Sequence, residues 1–322
     1  MKKFICIFLT LTLSLCLLAG CGNTQNENKT GNKSIVVTVY PVYDWIMNIL
    51  GDKASQWDVT LLLDSGVDLH SYQPTADDMV KIASCDLFVY VGGNSDKWVD
   101  DALKTSASNV KSINLMSVLG DRTKEEEVVE GMQAEEEEGE EEGPEYDEHI
   151  WLSLKNARIC CQKITENISS VDNKNESAYN LNYTAYSSKL NDLDSKYDEM
   201  VKASPNKTLL FGDRFPFRYL TDDYSIRYYA AFVGCSAESE ASFKTVSFLS
   251  KKVDELGLKY VIALEGSDQK ISKTIISNTS TKNQKILVMD SLQSATLKNA
   301  DKEGDYLSVM EKNFLVLKEA LS

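Results

Sequence analysis

The sequence predicts an α/β protein of two β/α lobes, each built on a mainly parallel sheet and joined by a long helix, with a ligand site in the cleft between them. Three observations carry that expectation. Apolar runs of strand length alternate with segments of helical period from Ile35 to about Leu115. The same alternation resumes at about Lys207. Between the two lies a polar stretch, about 175 to 203, of helical composition with no Pro or Gly inside it. Strand and helix in strict turn favour parallel sheets covered by their own crossover helices.

Taken in order, "SIVVTVY" reads as the first strand, and "PVYDWIMNILG" as a helix whose Val42, Ile46, Met47 and Leu50 form a stripe that stops at Gly51. "DVTLLL" is a strand, followed by the turn-like "GVDLHSYQPT" and a short helix "ADDMVKIAS" begun after Pro74. "CDLFVYVGG" suits a strand buried on both faces, "DKWVDDALKTS" a helix and "VKSINL" a fourth strand. "LKNARICCQKITENISSV" is helical and leads to the long helix. The second half offers "KTLLF", "SIRYYAAF", "KYVIALE" and "KILVMD" as strands, with helices between them. The expected boundaries are therefore 35–174 and 204–322 for the lobes and 175–203 for the linking helix.

The amino terminus sets the compartment. Lys2 and Lys3 precede about sixteen apolar residues and then Leu18-Ala19-Gly20-Cys21, the layout of a secretory signal over 1–20. The last four residues resemble a lipobox, which implies a diacylglyceryl anchor on Cys21 and an extracytoplasmic protein held to the cell membrane. The polar 21–34 segment has no apolar face to bury and reads as a tether. Cys85, Cys160, Cys161 and Cys235 show no CxxC spacing and read as small buried hydrophobes.

The formal charge of −15 is local in origin, because fourteen acidic residues and no basic one fall between Glu125 and Glu148. This block, about 124–146, is expected to be a disordered, solvated loop. Since no basic stripe occurs elsewhere, a nucleic-acid partner is disfavoured.

Ligands of an open α/β sheet collect beyond the carboxyl ends of its strands. His70 and His149 are the only histidines in 322 residues, and His70 follows "VTLLL". Asp213 follows "KTLLFG", Glu265 ends "KYVIAL" and Asp290 ends "KILVM". Imidazole nitrogen and carboxylate oxygen converging on one cleft suit a divalent metal.

These stretches carry a resemblance. "VVTVYPVYDWIMNILGDKA", "GVDLHSYQPTADDM", "CDLFVYVGGNSDKWVDDAL" and "EHIWLSLKNA" occur in order, and with them nearly all of the chain from Ser34 resembles the metal-binding lipoproteins of zinc and manganese ABC importers. That group includes ZnuA-like, TroA-like and adhesin-lipoprotein members. The resemblance implies a monomeric, non-enzymatic binding protein that passes a metal ion to an ABC permease and its ATPase. It also implies four metal ligands, His70, His149, Asp213 and Asp290, with Glu265 as a neighbour or alternate ligand. Asp213 departs from the histidine or glutamate common at that place in the family. Two imidazoles favour Zn2+, with Mn2+ or iron as alternatives. Glutamate replaces the histidine-rich loop of many zinc members. A secreted metallohydrolase using Glu265 as base, and a cell-adhesion protein, are the rival readings.

Overall fold

The computed structural model describes residues 32–105, 110–133, 145–236 and 240–322. The signal segment, Cys21 and most of the tether lie outside the described residues. Among those described, no helix is long and apolar enough to cross a membrane.

The first sheet is built from β1 (Lys33–Val37), β2 (Trp57–Leu61), β3 (Leu87–Tyr90) and β4 (Lys111–Asn114), in the order β2-β1-β3-β4. All three pairings are parallel, with Ile35 opposite Val59 on one side and Leu87 on the other. The second sheet repeats that plan with β5 (Thr208–Phe215), β6 (Arg227–Val233), β7 (Tyr260–Leu264) and β8 (Lys285–Met289), in the order β6-β5-β7-β8 and again parallel. In each sheet the winding direction reverses at the central pair, β1/β3 and β5/β7. Crevices form beyond the carboxyl ends of such pairs.

Local chemistry explains the element ends. Pro41 occupies the first turn of the Tyr40–Leu50 helix, where its missing N–H costs nothing. Thr75 and Asp78 form a reciprocal capping box at the start of the Ala76–Ser84 helix. Ser153 caps the Leu154–Val171 helix through the Asn156 N–H. The long helix runs Glu176–Ala203 and buries Tyr179, Tyr186, Leu190, Leu193, Tyr197 and Val201 along one face.

Both sheets and the long helix share one continuous apolar core that includes Val37, Phe88, Tyr197, Phe211, Leu264 and Met289. Polar stitches cross it. Trp151 Nε1 donates to the Ser291 carbonyl at 2.8 Å, and Tyr306 donates its hydroxyl proton to the Trp151 carbonyl at 2.6 Å. Lys33–Ser322 is accordingly one compact unit.

Two local expectations change. β5 does not stop at Phe211; it continues to Phe215 through a bulge between Phe211 and Arg214, so Asp213 lies within the strand. Gly212 permits this course, because a Cβ there would stand 2.6 Å from the Ser272 Cα. The described ends of the acidic block are also ordered. Glu125 bridges Tyr146, and Gln133 bridges Phe232 at the outer edge of the second sheet, with the Gln133 N–H donating to the Ala231 carbonyl at 2.9 Å. Residues 134–144 lie outside the described residues.

Candidate metal centre

His70 and His149 reach the seam between the sheets from separate loops. His70 sits in a single 3-10 turn, Leu69–Ser71, whose cap Asp68 accepts the His70 backbone N–H at 3.1 Å. His149 precedes the Ile150–Leu152 turn and is fully buried. Asp147 Oδ1 accepts both its backbone N–H, at 2.8 Å, and its Nδ1–H, at 3.0 Å. That leaves Nε2 facing the seam. On His70, Nδ1 is held by Ser95 Oγ at 2.9 Å, with Glu148 Oε2 at 3.5 Å behind it. Gly93, at φ +86°, lets Glu148 approach; a Cβ there would lie 2.8 Å from the Glu148 Cδ.

With both Nδ1 atoms anchored, the two Nε2 atoms face each other 3.3 Å apart. Tetrahedral zinc with Zn–N of about 2.0–2.1 Å needs an N···N edge of about 3.3–3.4 Å. The spacing therefore fits one shared ion. Gln293 Oε1 stands 2.9 Å from His149 Nε2, and Cys235 Sγ completes a group with the two histidines in which the donor atoms lie within 4.8 Å of one another.

Electrostatics separates the two rings. Burial and the neighbouring His149 charge push His70 down to about 3, against the pull of Asp68. Burial presses His149 down as well, but the Asp147 charge and hydrogen bond, with Gln293, outweigh it and hold His149 above the usual histidine value. His70 thus presents a neutral nitrogen, the form that binds metal.

The chain as a whole is similar to known proteins. The profile of the zinc-uptake complex component A, periplasmic, matches residues 35–320. The chain belongs to the zinc-uptake complex component A family. Among curated relatives, the zinc-binding lipoprotein AdcA of Streptococcus pneumoniae is 31% identical over 96% of this chain, which spans 60% of AdcA. The high-affinity zinc uptake system protein ZnuA of Bacillus subtilis is 29% identical over 99% of this chain and 98% of its own length. The crystal structure of the Zn(II)-bound ZnuA-like domain of S. pneumoniae AdcA superposes with a TM-score of 0.71 at 28% identity, covering 90% of this chain and 99% of that domain.

In this member of the zinc-uptake complex component A family, Asp213, Glu265 and Asp290 stand close together, and Asp213 also lines the cavity of about 530 Å³ that holds His70 and Cys235. Asp213 spends its carboxylate on the Arg214 N–H at 3.0 Å and the Leu264 N–H at 3.2 Å, as its place inside β5 dictates. Asp290 Oδ1 accepts the Leu292 N–H at 2.8 Å. Glu265 accepts from the Ser291 N–H and hydroxyl, and burial together with repulsion from Asp290 raises its carboxyl to about 8. The three acids line one cavity of about 480 Å³ beside the seam. Among the described residues, none of them joins the histidine group.

Sequence reasoning passed over Cys235, Gln293 and Arg214. Cys235 is free and only partly buried, unlike the buried Cys85, Cys160 and Cys161. Its signal was its place two residues past β6, the rule that singled out His70. Arg214 Nη2 reaches Asp68 Oδ2 at 2.9 Å while Nη1 donates to the Ser236 carbonyl at 3.2 Å, tying the His70 loop to the Cys235 loop across the mouth of the site.

Proposed function

We propose that the chain is an extracytoplasmic binding protein that captures a divalent metal ion, zinc, at the seam between its two sheets and hands it to an ABC permease driven by its ATPase. It acts as a monomer anchored through lipid on Cys21, with lobes over 35–174 and 204–322, and performs no catalysis. The observation that carries the reading is the pair of Nε2 atoms, 3.3 Å apart and each backed by a partner on Nδ1. Backing of this kind fixes the tautomer and raises the ligand strength of imidazole. The relatives named for zinc binding and zinc uptake favour the same ion. Asp213 and Asp290 add negative potential at the approach and draw cations toward the histidines.

Delivery requires the ion to leave as well as bind. The long helix and the shared core resist a wide hinge, so closure and release proceed through small shifts of the loops carrying His70, Arg214 and Cys235. The test is direct. His70→Ala and His149→Ala should each weaken zinc binding about tenfold or more in titration calorimetry, as loss of an inner ligand does. Unaltered affinity in both variants would remove the site.

A further inference from the structure

We infer that Cys235 is the ligand by which the second half of the chain grips the ion, as a thiolate, with the Gln293 side-chain carbonyl as the fourth donor. The inference rests on the reading that the seam holds a divalent cation, and it names the donors that the two histidines lack.

Four placements support it. Cys235 Sγ lies within 4.8 Å of both imidazole donors, in the group where the Nε2 atoms already stand at 3.3 Å. A tetrahedral zinc with Zn–S of about 2.3 Å and Zn–N of about 2.0–2.1 Å needs an S···N edge of about 3.5 Å, so a shift of at most about 1.3 Å brings the sulfur into range. Gly234 carries the chain close to His149: a Cβ there would meet His149 Cε1 at 3.1 Å, so the loop after β6 is packed directly on the ring. The loop is also held from behind, because the Cys235 N–H donates to Glu126 Oε1 at 3.1 Å and the Ser236 carbonyl accepts from Arg214. Finally, Gln293 is buried and its Oε1 stands 2.9 Å from His149 Nε2.

The donor set has chemical consequences. Two imidazoles and a thiolate are ligands zinc accepts readily, the amide oxygen completes the four, and sulfur turns the site away from manganese, which prefers oxygen. Binding exchanges the thiol proton for the metal: the S–H bond breaks, an S–metal bond forms, and one proton passes to water with no change of oxidation state. Glu126 belongs to the acidic block, so that segment takes part by seating the cysteine.

The wild-type protein loaded with Co2+ should show an intense near-ultraviolet thiolate-to-cobalt band. Cys235→Ser should lose that band while keeping weaker visible absorption from the histidine-bound ion. In competition with a chromophoric chelator, Cys235→Ala should bind zinc about a hundredfold more weakly and manganese within about threefold of wild type. Zinc should protect the Cys235 thiol of the wild type from alkylation, a readout that needs no variant. If His70→Ala and His149→Ala lose zinc while the wild-type cobalt spectrum lacks the thiolate band and zinc gives no protection, the cysteine assignment is overturned and the metal site stands. If the histidine variants keep their affinity, the metal site itself falls.

Discussion

Gly234→Ala puts one methyl group against the His149 ring at the seam. Gly234 is not among the positive-φ glycines, so alanine can adopt its backbone and the effect is steric. The new Cβ would lie 2.9 Å from the Phe215 carbonyl oxygen, 3.1 Å from the Pro216 Cα and 3.1 Å from His149 Cε1. Comfortable carbon–carbon contact is about 3.5–4.0 Å, so relief requires movement of about half an ångström. Two of the three neighbours are backbone at the end of β5, which yields least. The displacement therefore falls on the His149 ring or on the loop carrying Cys235, and each bears on the metal. Overpacking should cost about 1–3 kcal/mol of stability without metal. Ligand distances tolerate only about 0.2 Å, so zinc affinity should fall about 10- to 100-fold, or about 1.4–2.8 kcal/mol. Chelator competition gives the affinity and urea unfolding of the metal-free protein gives the stability. A variant that is destabilised yet binds zinc within twofold of wild type would refute the claim that packing at Gly234 sets the ligand geometry.

Two further outcomes are expected. Asp44 lies on the buried face of the Tyr40–Leu50 helix, where it accepts from the Tyr186 hydroxyl at 3.2 Å and Asn48 Nδ2 at 3.1 Å; burial and then repulsion from Asp305 raise its carboxyl to about 7. Because the folded value exceeds the unfolded one, its contribution is complete below about pH 4 and is lost as pH rises through about 7. Asp44→Asn should flatten that decline in urea unfolding across pH 4–8, and parallel profiles for the two proteins would contradict the assignment. Deleting 134–144 while keeping Gln133 and Glu145 should leave the tight zinc site intact and abolish only weak, salt-sensitive binding. A large loss of tight affinity in calorimetry would instead place those residues in the primary site.

The strand-helix alternation was legible because both sheets are parallel and deeply buried, so each strand is an apolar run bounded by polar turns. β3, buried at all four positions, is the plainest case. β5 was cut short because Gly212-Asp213 looks like a turn; only the close approach of Ser272 explains a glycine inside a strand. His70 and His149 stood out through rarity and position. Their partners did not. Gln293 meets His149 from 144 residues away, and an amide is not a residue type that signals metal. Cys235 resembles its three buried counterparts in composition and differs only in exposure, which the chain reveals after folding. Asp213 and Asp290 obeyed the strand-end rule, and in the fold each carboxylate also accepts a nearby backbone N–H.

The donors proposed at the seam come from loops far apart along the chain: His70 and His149 are 79 residues apart, and His149 and Gln293 are 144. No short segment can assemble this constellation during synthesis. Contacts of such long range must wait for loop closure and form late in folding. An ion met by a partly folded chain would find isolated histidines and a lone thiol, each a weak and exchangeable partner. Tight capture is thereby reserved for molecules in which both sheets are complete, and possession of the ion becomes a certificate that folding has finished.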